Sequence, residues 1–197
     1  MVTGVLLAGG RASRMGGRDK AFAAVGGEPI AVRTIRLFRG LFPQVLVATN
    51  RPDRFRHLEV ETVPDRFFDC GPLAGVHAAL LASHHPHVFV AACDMPGLDP
   101  AVIRYLVARI RPGVDAVVPR WENDIEPLHA VYAARALGTI EECLRSGRCA
   151  LRDFLPRVTV DYVDEDVLRA IGPAARSMTN VNTLEELAAV GGRFEEA

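Results

Sequence analysis

The apolar residues of the chain fall into short runs that are bounded by polar residues, glycine or proline. Such runs are typical of buried β-strands, whereas apolar positions repeated every three or four residues are typical of amphipathic helices. The run His87–Ala92 is apolar after its first residue, which is the pattern of a central strand in a parallel sheet. We predict strands at Thr3–Ala8, Gln44–Ala48, Glu61–Val63, His87–Ala92, Ala116–Pro119, Leu128–Tyr132 and Val158–Val163.

Helical spacing and helix-end signals predict helices between these strands. Asp99 is a predicted N-cap, and Asn182 or Thr183 begins a capping box with Glu186. The predicted helices are Pro29–Leu41, Leu73–Ser83, Pro100–Ile110, Ala133–Ser146, Asp164–Ala170 and one that begins near Thr183, with a loop at Gly9–Gly27 and extended chain at Ser177–Asn182. Strands that alternate with helices predict an α/β fold with a doubly wound, mostly parallel sheet.

Composition narrows the class of protein. The chain has 197 residues, of which 49% are hydrophobic and 24% charged, and its formal net charge is −1, which suits one globular domain. Because the charge is nearly balanced, we expect neither nucleic acid nor a membrane surface as a partner. The four cysteines lack zinc or C-x-x-C spacing, and no signal peptide or long apolar span is evident. We therefore expect reduced thiols and a cytoplasmic location.

A glycine-rich loop with basic side chains follows the first predicted strand. Gly9 and Gly10 allow backbone N–H groups to approach an anion, and cations such as Arg14 and Lys20 complete a predicted phosphate site. The glycine spacing excludes both a Walker A loop and the dinucleotide-binding fingerprint. Lys20 would act as a point charge on phosphates and Arg14 as a bidentate clamp, unless Arg14 pairs with Asp19 on the surface.

Five motifs resemble, in the same order, those of the molybdenum cofactor guanylyltransferase family. They are L-A-G-G-x-x-x-R-M-G-G-x-D-K at 7–20, G-P-L-A-G at 71–75, C-D-M-P at 93–96, P-L-H-A-V-Y at 127–132 and N-V-N-T at 180–183. The resemblance implies a three-layer αβα, Rossmann-like fold of the nucleotide-diphospho-sugar transferase type. It also implies an enzyme that transfers GMP from GTP to molybdenum-bound molybdopterin and releases pyrophosphate.

The resemblance implies a catalytic set made of Lys20, Arg14 and Asp94, with Asp94 as the magnesium ligand. Asp94 stands at the carboxyl end of the most apolar predicted strand, where open α/β sheets bind ligands. A carboxylate there suits Mg²⁺, which commonly takes one or two protein carboxylates plus phosphates and water. The alternative is that Asp94 only caps the turn before Pro96.

The resemblance also implies the nucleotide contacts. Asn50 and Asp65 each follow a predicted strand at the same sheet edge as Asp94, where the family has guanine and ribose contacts. A carboxylate or carbonyl can accept the N1–H and N2–H₂ donors of guanine, although both residues could be turn formers only. The implied nucleotide set is Leu7, Ala8, Gly9, Gly10, Lys20, Asn50, Asp65 and Asp94. The motif at 71–75 resembles the form associated with guanine, which favours GTP over CTP.

The acceptor side is implied by the later motifs. Asn180 and Asn182 are predicted to point to the same side of an extended segment, and the resemblance implies a role near the pterin or the metal. Asn182 could equally cap a helix. Glu126 could contact the acceptor, and Trp121 could flank its pocket or cover the edge of the core. The roles of these two residues and of His129 stay open.

Within a single domain, about 1–115 would bind GTP and about 116–197 the acceptor. The resemblance names GTP and a molybdopterin-type acceptor as partners, with cofactor-insertion or chaperone proteins as further candidates. One alternative is a sibling nucleotidyltransferase that uses CTP or another phosphate acceptor. A second is a non-catalytic nucleotide-binding module, against which the presence of both Lys20 and Asp94 weighs.

Overall fold

The structure, a computed structural model, describes residues 1–9 and 19–194. It has a mixed, mostly parallel sheet between two layers of helices, which confirms the predicted three-layer αβα class. Gly10 and Arg14, two predicted phosphate contacts, lie outside the described residues. In the part of the chain that is described, no helix has both the length and the apolar character needed to cross a bilayer.

The bounds of the elements are as follows. The strands are β1 (Val2–Leu7), β2 (Ala24–Val25), β3 (Glu28–Pro29), β4 (Gln44–Ala48), β5 (Glu61–Val63), β6 (His87–Ala92), β7 (Ala116–Trp121), β8 (Asp124–Ile125), β9 (His129–Ala133), β10 (Val160–Val163) and β11 (Gly192–Arg193). The helices are α1 (Ile30–Arg39), α2 (Gly71–Ala82), α3 (Pro100–Ala108), α4 (Leu137–Arg145), α5 (Leu151–Phe154), α6 (Glu165–Ile171), α7 (Ala174–Ser177) and α8 (Leu184–Ala189).

The main sheet has the order β10-β7-β9-β6-β1-β4-β5, and β8 pairs with β7. Strand β1 runs parallel to both of its neighbours, with Leu7 opposite Ala48 on one side and Ala92 on the other. Strand β9 is antiparallel to β6 and β7. Because β1, β4, β5 and β6 are parallel and in register, the residues that follow them come together at one edge of the sheet.

The two faces of the sheet pack against different helices. Along β1, Val5 and Leu7 belong to a core cluster with α2, α4 and α5, while Leu6 contacts the cluster that contains α1. Farther along the sheet, α3 and α6 cover the same face as α1. This alternation follows the two-residue period of a strand and explains why the central strands are apolar throughout.

A second, three-stranded sheet of order β11-β2-β3 joins the last described strand to residues 24–29. Gly26 and Gly27 connect β2 to β3 with φ of 63° and 80°, as a type I′ hairpin turn requires. The prediction of a loop throughout Gly9–Gly27 was therefore wrong beyond residue 19, where a 3₁₀ helix, Lys20–Phe22, comes first. A strand of two residues is too short to show the alternation of apolar and polar positions that predicts a strand. These strands and their pairing are therefore visible only in the structure.

Several predicted boundaries were confirmed and others were wrong. Strands β4, β5 and β6 have the predicted ends, and Asp99 caps α3 by accepting a bond from the Ala101 N–H at 2.8 Å. A 3₁₀ helix at Pro52–Leu58 and the short helix α5 were missed. The former has only two large apolar residues, Phe55 and Leu58, and neither segment is long enough to show a helical repeat.

Two further errors concern segments between longer elements. The predicted helix Ala133–Ser146 begins later, because Ala133 ends β9 and Ala134–Ala136 forms a 3₁₀ turn before α4. The segment predicted as extended from Ser177 is helical at that residue, since Ser177 ends α7. Thr183 is the N-cap of α8, and the capping box with Glu186 is confirmed with both of its hydrogen bonds.

His129 is a fully buried histidine in the centre of the sheet. Its Nδ1–H donates to the carbonyl oxygen of Ser177 at 3.2 Å, and its ring lies edge-on to Phe89 with centroids 5.3 Å apart. Burial lowers the pKa of His129 to about 4, since water cannot solvate the charged ring there. The folded chain therefore keeps His129 neutral where the unfolded chain would protonate it.

This depressed pKa predicts acid destabilisation of the fold. Between the unfolded pKa near 6.5 and about 4, the unfolded chain binds a proton that the folded chain does not, so stability falls as pH falls. The limiting slope is about 1.4 kcal/mol per pH unit, or about 3 kcal/mol over this window. His129→Asn keeps a donor near Nδ1 but cannot titrate. Urea denaturation from pH 4 to 7.5 gives the free energy of unfolding at each pH, and this free energy should fall less steeply with falling pH in the variant than in wild type. Equal pH dependence of the two proteins would contradict the prediction.

Candidate active site

A cavity of about 210 Å³ opens at the sheet edge where the parallel strands end. Six of the predicted site residues line it: Leu7, Ala8, Gly9, Lys20, Asp65 and Asp94. Gly71, Pro72 and Gly75, from the start of α2, line the same cavity. The carboxyl ends of β1, β4, β5 and β6 thus bring together residues that are far apart in the sequence.

Lys20, which lines this cavity, contacts two other candidate residues. Its Nζ lies 3.2 Å from Asp94 Oδ2 and donates to Asn182 Oδ1 at 2.8 Å. The Lys20 and Asp94 side chains are 20% and 21% exposed, so both are accessible to a ligand and partly shielded from water. Lys20 is the only lysine in the sequence, and the other 22 of its 23 basic residues are arginines.

The backbone around Asp94 holds this arrangement. The N–H of Cys93 donates to the carbonyl oxygen of Leu7 at 3.1 Å, which ties the turn after β6 to the end of β1. The N–H of Val181 then donates to the carbonyl oxygen of Asp94 at 2.8 Å. The late N-V-N-T motif is therefore attached directly to the turn that carries Asp94.

Asn182 is oriented by the capping box of α8. Its N–H donates to Glu186 Oε2 at 2.5 Å, and the same oxygen accepts the N–H of Thr183 at 3.1 Å. The capping box is visible in the sequence. Its position beside Lys20 is not, because only the fold brings the end of the chain to the first loop.

Asp65 and Asn50 form a reciprocal pair at the opposite end of the cavity. Asn50 Nδ2 donates to Asp65 Oδ2 at 2.9 Å, and the Asp65 N–H donates to Asn50 Oδ1 at 2.9 Å. Burial raises the pKa of Asp65, and the bond from Asn50 partly offsets that rise. A Cβ atom at either Gly9 or Gly75 would lie 3.8 Å from the Asp65 carboxylate, so these glycines keep the space beside it open. Asn50 acts on the cavity through Asp65.

A second cleft, of about 820 Å³, lies beside the first. Its lining comes from residues between 121 and 180 and includes Trp121, Glu126, Arg152 and Asn180. Leu128 lines both cavities and marks the place where they meet.

Two residues of this second cleft can be compared with their predictions. Asn180 and Asn182 were expected to share a side, but they bind different partners: Asn180 Nδ2 donates to Glu126 Oε2 at 2.9 Å, whereas Asn182 Oδ1 accepts from Lys20. Trp121 flanks the cleft and also packs on the core beneath it, while the Arg169 guanidinium lies 4.5 Å from the centre of its ring. The alternative that Trp121 covers the edge of the core is therefore confirmed, and its contact with an acceptor stays a prediction.

Several lining residues were not found from the sequence. Asp19 accepts the Ala21 N–H with Oδ1 and lies 3.4 Å from the Arg51 guanidinium through Oδ2. Arg51 follows Asn50 at the sheet edge, and that position was the available signal for it. Cys93 also lines the cavity, but burial raises the pKa of its thiol to about 12, so it is a protonated structural thiol.

The charged groups of the first cavity suit a metal ion that is shared with a substrate. No cluster of three or more His, Cys, Asp or Glu side chains that could enclose a metal occurs within residues 1–9 and 19–194. Asp94 uses Oδ2 for Lys20, and a carboxylate has a second oxygen that can bind a hard cation. Mg²⁺ commonly takes one or two protein carboxylates and completes its shell with phosphate oxygens and water, and this donor set fits it.

Comparison with known proteins agrees with this geometry. The family model for the MobA-like NTP transferase domain matches residues 4–161. The chain belongs to the MobA-like NTP transferase family. A probable molybdenum cofactor guanylyltransferase of Pelotomaculum thermopropionicum is 39% identical over 185 residues, which cover 94% of this chain and 89% of that protein. The molybdenum cofactor guanylyltransferase of Desulfosudis oleivorans is 36% identical, with coverages of 94% and 92%.

A solved structure shows the same fold. Molybdopterin-guanine dinucleotide biosynthesis protein A of Archaeoglobus fulgidus superposes with a TM-score of 0.83 at 27% sequence identity. The match covers 95% of this chain and 96% of that one.

Gly97 allows the turn after β6 to approach the segment that leads to Asn180 and Asn182. A Cβ atom at this position would overlap the carbonyl oxygen of Arg176. That oxygen belongs to the backbone and cannot rotate away, so a side chain at Gly97 would push the two segments apart.

Gly97→Ala should therefore lower the free energy of unfolding by roughly 1–3 kcal/mol, the usual range for overpacking. Gly138→Ala is the matched control, because Gly138 lies within α4 and no atom lies within 4 Å of the added carbon. The control should be neutral or gain up to about 1 kcal/mol from helix propensity. Chemical denaturation of both variants measures the difference, and equal stabilities would argue against the close approach.

Proposed function

We propose that this protein is a molybdenum cofactor guanylyltransferase, which transfers GMP from GTP to the terminal phosphate of molybdenum-bound molybdopterin and releases pyrophosphate. The observation that carries the proposal is that Lys20, which contacts both Asp94 and Asn182, lines with Asp94 a cavity that meets a second cleft at Leu128. A transferase needs two adjoining sites, one for the donor and one for the acceptor. The family and the printed names of its relatives support this donor and this acceptor.

The first cavity would hold GTP. The guanine would lie at Asp65, whose carboxylate can accept the N1–H and N2–H₂ donors together, with Asn50 holding it in place. Gly9, Gly71, Pro72 and Gly75 surround that space with little side-chain bulk. The triphosphate would then run along the end of β1 towards Lys20, where Gly10 and Arg14 are further proposed contacts.

Lys20 is suited to neutralise charge as the reaction proceeds. Its ammonium group has three hydrogen-bond donors, and the described contacts with Asp94 and Asn182 use two of them. The third is left for a phosphate oxygen. Because Asp94 and Asn182 already fix the ammonium group, little reorganisation is needed when charge develops on the α-phosphoryl group.

The chemistry needs positioning more than proton transfer. An oxygen of the acceptor phosphate forms a bond to the α-phosphorus of GTP, and the bond from that phosphorus to the bridging oxygen breaks, so pyrophosphate leaves with the electron pair. The attacking phosphate is already anionic, so no strong general base is required. Asp94 would hold a Mg²⁺ ion, which supplies Lewis-acid charge neutralisation for the triphosphate when bound.

The two cavities support a division of the chain. We propose that about 1–115 binds GTP and about 116–197 binds the acceptor, since the second cleft is lined by residues between 121 and 180. Cofactor-insertion or chaperone proteins are proposed partners for the acceptor and product. We also propose a cytoplasmic location, since the four cysteines are free thiols and suit a reducing compartment.

The proposed roles of Asp94 and Lys20 can be tested by substitution. Asp94→Asn and Lys20→Ala should each lower turnover at least about a hundredfold, as loss of one preorganised charge contact commonly does. Pyrophosphate release from GTP in the presence of molybdenum-molybdopterin is the measurement. Asp53→Asn, a change at a surface carboxylate paired with Arg56, is the control and should leave the rate unchanged. Normal turnover by Asp94→Asn would refute the metal assignment.

Nucleotide choice can be tested by thermal shift. GTP at about a hundred times its Kd should stabilise the protein by about 2.7 kcal/mol and raise Tm by roughly 5–10 °C. CTP at the same concentration should have little effect, since cytosine lacks the paired donors that Asp65 would accept. Asp65→Ala should remove most of the GTP shift. Stabilisation by CTP and not by GTP would favour the sibling nucleotidyltransferase instead.

A further inference from the structure

Glu126 is a largely buried carboxylate on the wall of the second cleft. Its Oε2 accepts a hydrogen bond from Asn180 Nδ2 at 2.9 Å, and its Oε1 accepts the N–H of Leu128 at 3.3 Å. Burial raises the pKa of Glu126, and the negative charges of Asp94 and Asp124 raise it further. Arg152, the cation in the same cleft, is bound to Asp124 at 2.5 Å.

The position of Glu126 is fixed from several directions. Its N–H donates to the carbonyl oxygen of Pro119 at 2.9 Å, and its own carbonyl oxygen accepts the N–H of His129 at 3.3 Å. The Tyr132 hydroxyl donates to the carbonyl oxygen of Pro127 at 2.7 Å and holds the next residue of the turn. A carboxylate placed on so rigid a turn is preorganised to select a ligand.

Glu126 and Asn180 together offer hydrogen-bond acceptors to a ligand. A carboxylate can accept about four hydrogen bonds, and the described structure supplies two to Glu126. Asn180 donates its amide to Glu126, which leaves its carbonyl oxygen as an acceptor. A ligand that fits here must present adjacent N–H donors. The edge of a pterin ring does so, with N3–H next to the 2-amino group.

The position of Glu126 and Asn180 in the cleft suits the proposed transfer of GMP to an acceptor. Trp121, Ile125, Leu128 and Met178 supply apolar surface to the cleft for a flat ring. Leu128 also lines the first cavity, so a ring at Glu126 can extend its phosphate towards Lys20 and Asp94. The Val181 N–H bond to Asp94 ties the Asn180 segment to that centre.

We propose that Glu126, oriented by Asn180, binds the N3–H and 2-amino edge of the pterin ring and so determines which acceptor is used. The inference rests on the proposed function, because the pterin is part of the proposed acceptor. Glu126 is then a specificity residue that touches the substrate, and Asn180 is a positioning residue that acts through it.

The test compares two fluorescent ligands that differ at this edge. Pterin carries the 2-amino group, whereas lumazine has a carbonyl oxygen at the same carbon, which would face the Glu126 carboxylate. Fluorescence titration of the full chain should show wild type binding pterin at least about tenfold more tightly than lumazine, the order expected for a hydrogen bond to a buried charge. A preference below about threefold, or no pterin binding at millimolar concentration, overturns the proposal.

Variants separate recognition from a structural role. Glu126→Gln can turn its own NH₂ towards the lumazine oxygen, so the preference should fall to near one while the protein stays folded. Glu122→Gln, the same change at another carboxylate of the cleft, should keep the wild-type preference. Asn180→Ala should reduce the preference several-fold and provides a second variant if Glu126→Gln does not fold. An equal loss of affinity for both ligands in Glu126→Gln overturns the proposal.

The nucleotide site is tested separately on the same samples. The thermal shift with GTP should be retained in Glu126→Gln, because Glu126 does not line the first cavity. A retained GTP shift without pterin preference refutes the role of Glu126 and leaves the guanylyltransferase proposal standing. A wild-type enzyme that prefers pterin but neither binds GTP nor releases pyrophosphate refutes the proposed function and leaves pterin recognition in place.

Discussion

The hydrogen bond from Lys20 Nζ to Asn182 Oδ1, at 2.8 Å, joins the first loop of the chain to the start of its last helix. Lys20 also contacts Asp94 at 3.2 Å, so one ammonium group connects three separate segments. A compact ammonium group with rotatable donors can make such a junction, whereas the planar guanidinium of arginine would impose its own geometry. This explains why an otherwise arginine-rich chain has its single lysine here.

The supports of this junction lie mostly in the C-terminal part of the chain. The capping box of α8 fixes Asn182, the backbone of Val181 is bound to Asp94, and β11 pairs with β2 just after the helix that carries Lys20. The C-terminal segment therefore supports the Lys20 and Asp94 side of the first cavity and also lines the second cleft. The two proposed sites meet at Leu128, and the carboxylates of Asp94 and Glu126 lie near enough for one charge to influence the other.

Much of the fold follows from local pattern. Some features depend only on residues that are close in the sequence and were predictable from it. They are the ends of β4, β5 and β6, the Asp99 cap and the Thr183 capping box. The candidate site was partly predictable for the same reason, because Asp65 and Asp94 follow strands whose parallel order brings their ends together. The motifs added Lys20, Asn180 and Asn182 as candidates without showing which of them would touch.

The amino-acid sequence by itself determined most of the longer elements, the parallel core of the sheet and the residue types available for phosphate, metal and base contacts. Only the tertiary structure decided the pairings: Lys20 with Asn182, Asn50 with Asp65, and Asn180 with Glu126. It also decided the small sheet in which β11 pairs with β2, and the burial of His129. The physical reason is that propensity and capping act over a few residues. A contact between distant side chains depends instead on strand order, register and the space left by residues such as Gly97, none of which has a local signature.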